Sequence, residues 1–111
     1  MSLDIYISQP MKGLSDDEII EIRANAVAEI MKRYECDDIS IVNPLEITRK
    51  NVEEKGGLYA FGRSISMMAM ADLVVFCENW DSNEGCLIEH KIAIKYNVPY
   101  VLHINDIKPP F

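Results

Sequence analysis

The stretch 80–93 reads WDSNEGCLIEHKIA and holds an isolated acid. On a helix that opens near Gly85 and runs to about Tyr96, 100° per residue turns Glu89 between Gly85, Cys86, Ile92, Ala93 and Tyr96, all small or apolar. Lys91 and Lys95 fall on another side, so no cation at i±3 or i±4 can pair with Glu89. Burial of an unpaired carboxylate costs several kcal/mol or drives its pKa upward. The plain alternative is an early-turn acid that complements the helix dipole. The apolar surroundings favour a functional carboxylate.

Composition bounds the setting. With 111 residues, 49% of them apolar, the chain reads as one domain spanning 1–111, large enough for a modest core. A net charge of -7 argues against a nucleic-acid polymer as partner, because phosphate contacts need clustered Lys and Arg. Cys36, Cys77 and Cys86 lack the C-x-x-C spacing of metal or redox sites and read as reduced core thiols of a cytoplasmic protein. The N-terminus shows no secretory signal, and no apolar stretch approaches the ~18 residues of a membrane span. No metal or cofactor is expected.

The elements that would position Glu89 alternate along the chain. DIYIS (4–8), ISIVN (39–43), DLVVFC (72–77) and VPYVLHI (98–104) read as strands. Between them lie a helix to about Tyr34 that opens with the capping box Ser15-Asp16-Asp17-Glu18, a second helix over 58–71, and the Glu89 helix. A polar stretch covers 46–57. Strand–helix alternation at this spacing means right-handed βαβ units: an α/β, flavodoxin-like three-layer sandwich around a four-stranded parallel sheet, with a short fifth strand expected near the C-terminus. Such sheets bind ligands at the carboxyl ends of their strands. Three loops follow as candidates: 8–13, 43–45 and 78–85.

IYISQPMKGL, VNP, GRSISMMAMADLVVF and the stretch around Glu89 together resemble the nucleoside 2-deoxyribosyltransferase-like superfamily, over about the whole chain. The branch it looks like is small and opens its first loop roughly Y-I-S-G-P-M-x-G; Gln9 departs from it. The resemblance implies that Glu89 is a nucleophile attacking C1′ of a 2′-deoxyribonucleoside or its 5′-monophosphate, and that Tyr6 contacts it. It implies a substrate bordered by Ser8, Gln9, Pro10, Met11, Lys12 and Gly13, with Lys12 the candidate for a 5′-phosphate. Asn43 and Pro44 would line the base pocket, and Ser64, Ser82, Asn83 and Gly85 complete the implied binding set. Transfer to a second base and hydrolysis both fit.

The departures matter equally. Where active transferases often carry an aspartate six residues before the nucleophile, this chain has Asn83; where many carry R-D-I, it reads Arg63-Ser64-Ile65. Asp81 or Glu84, on the same loop, are the substitutes for the missing acids. A non-catalytic nucleotide-binding or sensing module and an NAD glycohydrolase, as in the architecturally similar TIR-like domains, are the alternatives. A phosphoacceptor role fits poorly because the first strand ends in Ser8, and FMN binding is weak because the first loop lacks a Ser/Thr run. The second helix, with Met67, Met68 and Met70, is apolar nearly all round, which predicts a homodimer or larger homo-oligomer built on it.

Overall fold

In the computed structural model, residues 2–34, 38–46, 49, 53 and 56–102 are described. Four strands, β1 (Ser2–Ser8), β2 (Asp38–Ile41), β3 (Leu73–Phe76) and β4 (Tyr100–Val101), form one sheet in the order β2-β1-β3-β4. Every neighbouring pair is parallel. Accompanying them are the helices α1 (Asp16–Arg33), α2 (Gly57–Ala69) and α3 (Glu84–Lys95), the last preceded by a 3-10 turn at Trp80–Ser82.

The two-residue period of the strands sorts the core into two sides. Ile5, Ile7, Val75 and Cys77 pack with Ala26, Ile30 and Tyr34 of α1 and its C-terminal cap. Tyr6, Val74 and Phe76 face the other way and pack with Met68 of α2 and with Cys86 and Ala93 of α3. The result is the expected three-layer α/β arrangement. The register sets Tyr6 beside Val74 and Ser8 beside Phe76, bringing Tyr6 and Ser8 to the α3 side at the carboxyl end of β1.

The capping box forms as its spacing demands. Glu18 N–H donates to Ser15 Oγ at 3.2 Å, Ser15 N–H donates to Glu18 Oε1 at 3.0 Å, and Asp16, Asp17 and Glu18 occupy the first turn of α1. Three strands are shorter than expected, β3 spanning Leu73–Phe76 of the expected 72–77. β2 stops at Ile41, although Val42 N–H still donates to Ile5 C=O at 2.9 Å. Beyond it, the Asn43 side chain replaces the ladder: Ile7 N–H donates to its Oδ1 at 2.9 Å and its Nδ2 donates to Ile7 C=O at 2.8 Å. β4 begins at Tyr100, because Pro99 has no N–H to offer a ladder. The Pro99 carbonyl accepts from Val74 N–H at 2.9 Å. The fifth strand, Cys36 and most of the 46–57 stretch lie outside the described residues.

The apolar circumference of α2 is only partly covered. Ala60 and Met68 are buried, whereas Leu58 and Met70, near its two ends, are 88% and 68% exposed. Cys77 and Cys86 are free and buried, matching the expected core thiols. Among the described residues, no helix is long and apolar enough to cross a membrane.

Candidate active site at the carboxyl edge of the sheet

Glu89 belongs to the second turn of α3 and is only 5% exposed. The helix carries it over the end of β1, where two hydroxyls meet its carboxylate. The Tyr6 hydroxyl donates to Oε2. Ser8 Oγ donates to Oε1 at 2.8 Å. Each oxygen therefore has one donor of its own, and both donors come from alternate residues of a single strand. Lys91 and Lys95 are exposed, away from the acid.

Electrostatics follow from this enclosure. Burial holds the Glu89 carboxyl above the usual carboxylate range, and the bonds from Tyr6 and Ser8 oppose that rise by favouring the charged form. Burial, then the charge of Glu89 and the bond to it, drive Tyr6 well above an ordinary tyrosine, while Ser64 acts weakly in the opposite direction. Tyr6 thus keeps its proton and serves as a donor. Cys86, one turn before Glu89, is pushed up to about 12 chiefly by burial and stays a neutral thiol.

Glu89 opens into a cleft of about 170 Å³. Around it, β1 contributes Tyr6, the first loop contributes Gln9, Met11 and Lys12, and the segment after β2 contributes Asn43. Ser64 of α2 and Asn83, Gly85 and Cys86 at the start of α3 close the other sides. Nine of the residues singled out in the sequence therefore share one cleft with Glu89 among them: Tyr6, Gln9, Met11, Lys12, Asn43, Ser64, Asn83, Gly85 and Glu89.

The others stand apart from its lining. Ser8 sits behind the carboxylate, and Pro10 is buried in the first loop. Gly13 is exposed with φ +85°, a left-handed conformation that favours glycine. Pro44 lines a neighbouring cavity. Asp81 and Ser82 are exposed on the 3-10 turn, and Ser82 Oγ donates to Asn79 C=O at 2.9 Å. Glu84 is likewise exposed.

Asn83 has a second task as the N-cap of α3, where its Oδ1 accepts from Cys86 N–H at 3.0 Å. That bond removes Cys86 N–H from the amides free to hold an anion. Gly85 lies within α3 rather than in a turn, and a Cβ there would come within 3.3 Å of Asn83 Oδ1. The absence of a side chain spares the cap.

Phe61 and Cys86 line the cleft without having been singled out as site residues. Helical spacing was the usable signal: each precedes a chosen residue, Ser64 or Glu89, by three. The clamp behind the first loop gave no such signal. Arg23, only 8% exposed, donates from Nε to Gln9 Oε1 at 2.9 Å and from Nη1 to Asn43 C=O at 3.0 Å. Gln9 Nε2 in turn donates to Ile19 C=O at 2.7 Å.

No family model matches the chain, nor does any curated protein or solved structure.

Proposed function

We propose that the protein cleaves the N-glycosidic bond of 2′-deoxyribonucleosides or their 5′-monophosphates, by transfer or hydrolysis, through a covalent glycosyl–Glu89 intermediate. The observation that carries this reading is a buried carboxylate held by two hydroxyls at the mouth of a cleft of about 170 Å³. That volume is below the ~300–1,000 Å³ of drug-sized sites, and it suits one sugar ring with the base and the 5′ substituent at the rim.

In the proposed reaction an oxygen of Glu89 bonds to C1′ as the C1′–N bond breaks, and the base leaves with that electron pair and takes up a proton. Attack on C1′ by water or by a second base then displaces Glu89. Tyr6 and Ser8 orient the carboxylate, and their bonds keep the charged form accessible despite burial. Lys12, exposed at the rim, is the cation for a 5′-phosphate. Among the described residues lining the cleft there is no second carboxylate, so the proton for the departing base comes from the solvent-facing rim.

That same feature favours a second reading, a module that binds a nucleotide without cleaving it. Incubation with deoxynucleosides, deoxynucleotides and NAD, with chromatography for free base, separates the readings. Release of base from a deoxy substrate supports the enzyme. Tight binding without release supports the module, and release of nicotinamide alone supports NAD glycohydrolysis. The exposed Leu58 and Met70 of α2 support self-association of the chain, for which light scattering is the test: a monomer at micromolar concentration rejects it.

A further inference from the structure

Arg23 stands out among the charged side chains because it is buried with no ion pair among the described residues, the charge of Glu46 acting on it only from farther off. Its Nε and Nη1 donate to neutral acceptors, the side chain of Gln9 and the carbonyl of Asn43. Among the described residues its buried Nη2 has no hydrogen-bond partner. Among the described residues, no carboxylate lies within 4.0 Å of the guanidinium. A buried cation left in this state carries a desolvation cost that a counter-ion would offset.

The surroundings offer room for such an ion. Arg23 lines a cavity of about 410 Å³ on the α1 side of the first-loop clamp, separate from the Glu89 cleft. Arg49 lines it too, and among the described residues it pairs with Asp16, at 3.5 Å, a largely exposed side chain. Among the described residues of the cavity wall Glu46 is the one acid, and it is exposed. The remainder of the wall is mainly aliphatic, with Ile20, Val27, Ile41 and Leu45. The volume falls within the ~300–1,000 Å³ range of small-molecule sites.

We propose that this cavity binds a small oxyanion carrying an apolar body, a phosphate monoester or a carboxylic acid, with Arg23 and Arg49 meeting the charge and the aliphatic wall meeting the body. Guanidinium groups suit the task because their planar forks match the oxygens of phosphate and carboxylate. Because Arg23 also holds Gln9 and the Asn43 carbonyl, an occupant would tighten the wall of the Glu89 cleft from behind.

Phenyl phosphate is the probe, with phenol as the neutral control and inorganic phosphate as competitor. Calorimetry is expected to show one saturable site for phenyl phosphate and none for phenol, with inorganic phosphate competing. In a ¹H–¹⁵N spectrum, the Arg23 Nε–H resonance shifts on titration. Arg49→Gln is expected to weaken binding about tenfold, the effect of losing one charged hydrogen bond. Lys12→Ala, in the other cleft, leaves binding unchanged. Arg23→Lys keeps the charge but loses the fork, and abolishes binding if it folds; Arg49→Gln decides the matter if it does not. Equal binding of phenol, an unmoved Arg23 resonance, or loss of binding in Lys12→Ala but not in Arg49→Gln overturns the proposal.

Discussion

Glu89 and Arg23 are buried charges on opposite sides of the same parallel sheet, and they are satisfied in different ways. Glu89 has a hydroxyl donor on each oxygen and opens into a sugar-sized cleft. Arg23 is tied to two neutral acceptors and, among the described residues, keeps a buried nitrogen without a partner. Neutral hydrogen-bonding groups can hold a charge in place without cancelling it, and an uncancelled charge remains available to a ligand or a reaction. In Glu89 the available charge suits an electrophilic carbon; in Arg23 it suits an anion.

The strongest way to break this comparison is to remove the anion's charge. Glu89→Gln keeps the shape of the side chain and is expected to lower base release by about 10⁴-fold or more, because a covalent route loses its attacking atom. Folding is expected to survive, as circular dichroism would show. A variant that releases base at the wild-type rate defeats the nucleophile assignment.

Next in size is the wall between the two charges. Asn43→Ala removes the amide that pairs with both backbone groups of Ile7, leaving two buried groups unpaired. A loss of about 2–4 kcal/mol is expected in urea unfolding. A loss below about 1 kcal/mol would mean that water replaces the amide, and that the clamp has little structural weight.

A smaller effect isolates one donor. Tyr6→Phe leaves the ring in the core and is expected to slow base release about 10- to 100-fold, the worth of one hydrogen bond to a charged group. Since the Tyr6 bond opposes the upward shift of Glu89, its removal is also expected to move the acid limb of the kcat/KM profile to higher pH. An unmoved limb would show that Tyr6 only packs.

The smallest effect is a slope. Glu89 has a folded-state pKa raised chiefly by burial, so the folded state holds its proton to higher pH than the unfolded chain does. Its contribution to stability is fully present below the unfolded value of about 4.3 and is lost as pH rises through the folded value. Urea midpoints of wild type and Glu89→Gln are expected to diverge through that window, with the variant gaining at the upper end. Arg23, lowered by burial yet charged throughout, adds no slope there. Parallel curves for the two proteins would remove the burial cost assigned to Glu89.

Much of the architecture was legible in residue order. Alternation of short apolar strands with capped helices determined the parallel three-layer fold, and Ser15-Asp16-Asp17-Glu18 determined where α1 begins. The helical period alone set Glu89 on the dry face of α3, since that fact needs only neighbours three and four residues away. Local rules could not supply the partners: the Tyr6 contact came from the family resemblance, and Ser8 was expected to border the ligand rather than hold Glu89. Tyr6 and Ser8 reach Glu89 across 83 and 81 residues of chain, and no periodicity links positions so far apart. Asn43 read as the last residue of a strand and part of a base pocket, and only the register of β1 against β2 turned its amide into a substitute for the ladder. Nothing in the sequence set Arg23 apart, and packing α1 on the sheet buried it beside Gln9. Asp81 had the right chemistry on the right loop, but the 3-10 turn leaves it in water. The sequence by itself determined which elements form and which faces are dry. Tertiary structure decided which polar groups meet, because burial and hydrogen bonding are settled by distances in space rather than along the chain.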